Sequence, residues 1–388
     1  MDYLSGYCEE WGTNLVTSKH HYLRRLASNE NRILYLEAPR SLAHVFFSSE
    51  IFKNIKDLFL SKNLKKVEKN IWVLKGYVIF PYTNAFFGVF GNRVFNKINQ
   101  FFYKFYIKKA MKKLSFKDVA LISYLPFLYP EIEYFKFRKI IFHVVDYWLG
   151  LKKIPQSSKT YIDSMARSAD VIITSGEMLF KDFKEKNEKT FLLDHGTDYD
   201  LFCSAVSKTL KPHKILSNIQ KPVIGYYGAL HKLDFKLINE VALKNKDKNF
   251  IFVGPLKGSQ GLKIKSEVQN NIYFFPSINR TELPSFLSGI DVFWMPFYVD
   301  QLTEWMSPIK IFEVLSAGTP TICAKLYECK RIGEGLVNFA NSSKEYCHFI
   351  DILVNENSLD SRVFRSKKMK VYDWENRFME FKKYIGES

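Results

Sequence analysis

The chain has 388 residues, enough for two domains of ordinary size, and its 47% hydrophobic content argues against disorder. Its five cysteines, Cys8, Cys203, Cys323, Cys329 and Cys347, show no CxxC and no paired metal spacing, which points to a reduced, cytoplasmic setting with no structural metal. The formal charge of +17 leaves nucleic acid or an anionic membrane surface open as partners.

The opening residues MDYLSGYCEEW lack a basic segment followed by an apolar one, so no secretory signal is expected. Short apolar runs rich in β-branched residues then alternate with longer charged segments of helical spacing. They predict strands near 33–36, 71–74, 119–124, 140–145, 171–174 and 190–193, and again near 223–227, 250–253, 272–275, 292–295, 319–323 and 336–339. This is an α/β chain with two parallel sheets, each covered by helices on both faces. A turn-rich loop at 195–202 leads into the basic stretch 204–221, so the first domain is taken as 1–203 and the second as 204–370. Residues 371–388 form a last amphipathic helix, with Trp374, Phe378, Phe381 and Ile385 on one face.

The positive charge is concentrated. Residues 51–115 hold fourteen Lys/Arg against two acids, Asp57 and Glu68, a net +12. The uncharged run 76–92 is interrupted by Pro81, Tyr82, Thr83, Asn84, Gly88 and Gly91, so no membrane span is expected there. Around 94–114 an apolar stripe of Val94, Phe95, Ile98, Phe101, Phe102 and Phe105 shares a helix with Lys97, Lys104, Lys108, Lys109, Lys112 and Lys113. Two readings stay open: a helix packed on the sheet with its lysines solvated, or peripheral docking on anionic lipid.

The stretch MSPIKIFEVLSAGTPTI at 306–322 carries the sharpest chemical signal. Ser307 suits an N-cap, Pro308 the first helical position, and Gly318 and Pro320 a stop, which predicts a helix over 308–317. Lys310 in its first turn is unfavourable by the helix dipole, by about 0.3–1 kcal/mol when exposed. An anion at the helix start reverses that sign. A diphosphate there would accept backbone N–H bonds and meet the Lys310 ammonium, while Glu313, one turn on, could accept from a ribose diol. The plain alternative is an exposed i, i+3 ion pair worth about 0.2–0.5 kcal/mol.

The pattern S-P-x-K-x-F-E-x-L-x-A-G-x-P resembles the donor-site helix of retaining glycosyltransferases of the GT-B fold, a group that includes enzymes of bacterial surface-polysaccharide synthesis. Further similar segments are PVIGYYGAL at 222–230 with Asp234, NIYFFPS at 271–277, LPSFLSGIDVFWMPF at 283–297, DVIITS at 170–175 and HGTD at 195–198. Trp374 falls where the family's final helix returns to the first domain, and residues 40–115 match poorly. The resemblance implies two Rossmann-like, doubly wound domains facing a cleft, with a nucleotide-diphosphate sugar as co-substrate and no further cofactor. It implies Lys310 at the donor diphosphate and Glu313 at the ribose, with Gly228, Ser307 and Ile309 beside them and Lys232 as a second phosphate contact. The family's first glutamate, eight positions before the second, would fall on Trp305, and Glu304 stands one residue early.

In the first domain, Ser18 could cap a helix whose Lys19, His20 and His21 are candidates for phosphate or acceptor contacts. Asp146 is expected at the exit of its strand, where ligands of open α/β sheets collect, and is favoured over His143 within the run. The expected catalytic set is therefore Asp146, His21 and Glu304. Asp198-Tyr-Asp200 spells D-x-D, but its place in a loop between domains favours a capping or hinge role, so no metal is expected. The expected acceptor is a glycan or a lipid-linked glycan. A nucleotide-sugar epimerase, an inactive relative and a nucleic-acid-binding protein are the competing readings; no zinc finger or RNA-recognition signature accompanies the lysines.

Overall fold

The computed structural model describes residues 1–12, 16–41, 63–80, 88–125, 134–150, 158–207, 209–255 and 269–387. Two compact units divide the chain: Met1–Leu193 with Phe378–Ser388, and Asp194–Arg377. The expected boundary at 203 falls inside the second unit, because Phe202 is part of that unit's core and the Thr197 N–H donates to the Tyr372 carbonyl at 2.9 Å.

Ten strands lie in the first unit among the described residues: β1 (Asp2–Cys8), β2 (Arg32–Glu37), β3 (Arg40–Ser41), β4 (Leu64–Glu68), β5 (Ile71–Leu74), β6 (Tyr77–Val78), β7 (Ala120–Ser123), β8 (Lys139–Val144), β9 (Val171–Thr174) and β10 (Thr190–Leu192). Eight form a sheet ordered β10-β9-β8-β7-β1-β2-β5-β4, parallel except for β4 against β5, and β3 pairs with β6 separately. The sequence pattern predicted no strand at β1, β3, β4 or β6. Yet β1 is central, with Tyr3 in register with Ile33 of β2 on one side and Ala120 of β7 on the other. The chain's last residues close this unit: Phe381 stacks on Tyr22 at 4.6 Å and Tyr384 on Phe191 at 4.6 Å.

The Gly88–Lys113 helix turns most of its apolar stripe outward. Its inward face is Asn96, Asn99, Gln100, Tyr103, Ile107 and Ala110, whereas Val94, Phe101, Phe102 and Phe105 are exposed. Two contacts explain this orientation. The Asn99 amide donates to the Phe80 carbonyl at 2.8 Å and accepts from the Phe80 N–H at 2.9 Å. Tyr103 lies over Gly76, where an added Cβ would come within 1.7 Å of the ring. Of the uncharged run 76–92, residues 81–87 lie outside the described residues; among those described, no helix is long and apolar enough to cross a membrane.

The second unit holds β11 (Val223–Tyr227), β12 (Asn249–Val253), β13 (Ile272–Phe275), β14 (Val292–Met295), β15 (Thr321–Ala324) and β16 (Asn338–Ala340). All pair in parallel in the order β13-β12-β11-β14-β15-β16. This is the doubly wound order that reverses direction between β11 and β14, and ligands of such sheets collect at the carboxyl ends of strands beside that reversal. The central strands read as continuous apolar runs because helices cover both faces; Ile224, Phe250, Phe252, Phe293 and Trp294 are fully buried.

Candidate functional site

The helix following the Met306-Ser-Pro turn spans Ile309–Ser316, with Pro308 as its N-cap and no side chain capping it. Ser307, the expected cap, therefore lies one residue before the observed one, and Pro308 takes the cap position in place of the first helical one. Its hydroxyl is buried, the residue being 7% exposed, and has no hydrogen-bond partner among the described residues. The first-turn N–H groups, those of Ile309 and Lys310 included, thus receive no cap side chain. The other end closes as the sequence pattern predicts. Gly318 has φ +66°, its N–H donates to the Leu315 carbonyl at 2.9 Å, and the Thr319 N–H reaches back to Val314 at 3.1 Å, a Schellman stop.

Gly228 ends β11 with φ +126°, and a Cβ there would lie 2.2 Å from Lys310 Cε and 2.6 Å from its Nζ. The missing side chain is the space the lysine occupies. The ammonium sits 5.9 Å from the centroid of the Tyr227 ring and, among the described residues, has no carboxylate at ion-pair distance. Burial lowers the Lys310 pKa, Glu313 pulls it partly back, and neighbouring Lys232 lowers it again. Lys232 points its Nζ at the Met306 sulfur, 3.3 Å away. Two cations therefore meet just past the carboxyl end of β11, and the unpartnered Ser307 hydroxyl follows in the chain the Met306 that Lys232 touches.

Glu313 faces inward, 6% exposed, and is held at both oxygens. The Tyr227 hydroxyl donates to Oε2 at 2.6 Å and Arg280 Nη2 donates to Oε1 at 2.9 Å. Arg280 also donates to Asp198, so one guanidinium joins the two carboxylates. Burial would lower the Arg280 pKa, but Glu313 and Asp198 outweigh it and raise it; burial and then Glu313 push the Tyr227 phenol well above its ordinary value. Glu313 is thus no exposed partner of Lys310. Glu304 ends the short Gln301–Glu304 helix of the same unit, and its Oε2 accepts from the Tyr327 N–H at 3.4 Å at the start of the Tyr327–Ile332 helix.

In the first unit, Lys19 makes an ion pair with Glu9 at 2.7 Å. Burial alone would raise the Glu9 carboxyl, but Lys19 and Thr17 together hold it below the usual carboxylate range. The cap of the Ser18–Ser28 helix is Thr17, whose N–H donates to His20 Nδ1 at 3.1 Å; Ser18 is its first residue. His20 is buried against Trp11, ring centroids 4.9 Å apart, and burial lowers its pKa. His21 lies beside Arg25, with 3.5 Å between its Nδ1 and the guanidinium. His143 is buried among Tyr22, Tyr124 and Phe381 at centroid distances of 5.4, 5.2 and 5.9 Å. Asp146 is exposed just beyond the end of β8.

Glu9 and Arg280 escaped the sequence reading. Glu9 follows a strand that was not foreseen, and Arg280 sits in the Arg280–Glu282 turn of a loop with no periodicity. Among the described residues no three His, Cys, Asp or Glu side chains gather as a metal ion would require, and Asp198 of the D-x-D is engaged by Arg280.

Residues 221–354 match the family model "Glycosyl transferases group 1". This segment is a glycosyl transferases group 1 domain. It contains Gly228, Lys232, Arg280, Glu304, Ser307, Ile309, Lys310 and Glu313, whereas Asp198 precedes it. The chain is also similar to the putative teichuronic acid biosynthesis glycosyltransferase TuaH of Bacillus subtilis, 28% identical over 229 residues. That match covers 56% of this chain and 57% of TuaH, so the chain spans little more than half the length of that relative. In fold it resembles the sucrose-phosphate synthase of Thermosynechococcus elongatus, with a TM-score of 0.71, 11% identity, and coverage of 99% of this chain and 98% of that one. The Anabaena protein HepE, solved in complex with UDP, gives a TM-score of 0.65 at 14% identity and 99% coverage of each chain. The fold is GT-B, with two parallel-sheet, Rossmann-like domains, one of which carries the group 1 segment.

Proposed function

We propose that this protein is a glycosyltransferase that moves a sugar from a nucleotide-diphosphate sugar to a glycan or lipid-linked glycan, in bacterial surface-polysaccharide synthesis. The observation that carries the reading is the Lys310 ammonium lodged in the space over Gly228, at the reversal point of a doubly wound sheet. The bond from the anomeric carbon to the diphosphate breaks and its electron pair leaves with the nucleotide diphosphate, while the anomeric carbon bonds to an acceptor hydroxyl oxygen whose proton passes to the departing diphosphate. Lys310, Lys232 and the N–H groups at Ile309 and Lys310 offset the charge on the leaving group, so the reaction needs no metal. Glu313, oriented by Tyr227 and Arg280, takes the ribose hydroxyls. Asp146, His21 and Glu304 are the proposed catalytic groups, with Lys19 and His20 supporting them; retention of configuration follows from the resemblance of the 306–322 segment.

UDP is the first base to try, because HepE was solved with it. A thermal-shift screen against nucleoside diphosphates and their sugars should give a concentration-dependent rise for one base, following the logarithm of saturation. Donor turnover with and without acceptor then separates transfer from epimerisation, and addition of a chelator tests independence from metal. If no nucleotide shifts the melting temperature while random oligonucleotides do, the reading is wrong. Asp146→Asn and His21→Asn should each lower turnover with little change in donor affinity.

A further inference from the structure

The Gly88–Lys113 helix contains no acidic residue and turns its aromatic side outward. Phe101, Phe102 and Phe105 are 45, 44 and 52% exposed, while Asn99, Tyr103 and Ile107 take the buried face. Leaving three neighbouring phenylalanines about half exposed forgoes part of the burial a packed core would give them, and buried amides cost more than buried rings unless bonded. Single exposed apolar residues are ordinary, whereas a contiguous cluster marks an interaction site. The fold holds this arrangement firmly, through the two-way bridge between Asn99 and the Phe80 backbone.

The surroundings say what kind of partner fits. Lys97, Phe101, Phe105 and Lys109 follow one another at i, i+4 spacing, so cations bracket the rings along one row, and Lys97, Lys108 and Lys109 are all exposed. Phe101 meets Phe102 edge-on at 5.6 Å and Phe105 at 5.3 Å. Lys104 Nζ covers the Phe101 ring at 4.2 Å and the Tyr134 ring at 4.2 Å. Rings packed edge to face under a lysine are poor platforms for nucleobases, which need open faces. A compact apolar tip ringed by cations instead matches an interface with hydrocarbon below and phosphate headgroups above.

We propose that this face docks the protein on an anionic lipid surface, with Phe101, Phe102 and Phe105 entering the acyl boundary and the lysines meeting lipid phosphates. The inference stands on this surface alone and does not rest on the donor-site reading. The test is co-sedimentation with vesicles of phosphatidylcholine, and of phosphatidylcholine mixed equally with phosphatidylglycerol. Wild type should bind the mixed vesicles and not the neutral ones. Each of Lys97→Gln, Lys108→Gln and Lys109→Gln should weaken binding about fivefold, and the triple change of Phe101, Phe102 and Phe105 to Ser by about tenfold or more. Melting temperatures of the variants report whether the fold is kept. A Phe105→Trp variant, which needs no loss of binding to be read, should show fluorescence quenched by brominated phosphatidylglycerol. Equal binding to both vesicle types, no quenching, or oligonucleotide binding that follows the lysines and ignores the phenylalanines would each overturn the proposal.

Discussion

Gly228 and Lys310 share one volume: the Cβ that glycine lacks would stand 2.2 Å from the lysine's Cε. Gly228→Ala therefore forces a choice between backbone and lysine, and the flexible lysine yields. The expected result is a fall in stability of about 1–2 kcal/mol from the positive φ, with a much larger relative loss of nucleotide affinity. Calorimetric titration with UDP and a thermal melt on the same variant measure both, and an affinity unchanged beside a lowered melting temperature would refute the pairing.

Lys310 titrates below the ordinary lysine range because burial and Lys232 both disfavour its charge. A diphosphate favours the charged form, so donor affinity should be greatest where Lys310 is protonated. It should weaken with rising pH, approaching about tenfold per unit above the lysine's pKa. In Lys310→Met the affinity should be low throughout and this dependence should vanish.

Glu313 should report on the ribose. Wild type is expected to bind a ribonucleoside diphosphate more tightly than its 2′-deoxy counterpart, and Glu313→Gln should shrink that preference. Tyr227→Phe removes one hydrogen bond to the carboxylate, a cost of about 2 kcal/mol in stability, and should reduce the same preference without abolishing binding. Equal affinity of wild type for both nucleotides would remove the ribose role.

His195 carries a pH signature of stability. Burial depresses its pKa from 6.5 to about 4, with Asp194 opposing the shift. The unfolded chain therefore takes up the proton first as pH falls. Stability from this group is complete above about pH 6.5 and drains away down to about pH 4, on the order of 3 kcal/mol in all. Denaturation curves across that window should show a steeper acid loss in wild type than in His195→Gln.

The group 1 helix was legible in the sequence because its stops are local: a Pro at the start and, at the end, a Gly at φ +66°, a conformation glycine adopts without steric cost. The second sheet was legible because its buried strands are unbroken apolar runs. By contrast, β1 hides in DYLSGYC, which has no β-branched residue and two small ones, although pairing on both sides makes it central. For the Gly88–Lys113 helix the spacing leaves open which face turns inward, since hydrophobic periodicity cannot foresee that Asn99 will find the Phe80 backbone. Glu313 was named from its helix, but its hold on Arg280 and Tyr227 joins segments far apart in sequence. Only the folded chain reveals such partners.

The last helix, Trp374–Ile385, starts among residues of the second unit and finishes in the first. A ribosome emits most of the first sheet early, yet Tyr22 lacks Phe381, and Tyr3 lacks the Glu387 carboxylate that its hydroxyl meets, until the tail emerges. That sheet is therefore finished only by residues far downstream in the chain. A cut at 193 does not yield a finished amino-terminal fragment; one that reproduces its packing must be supplied with the stretch 378–387, as a peptide or by circular permutation.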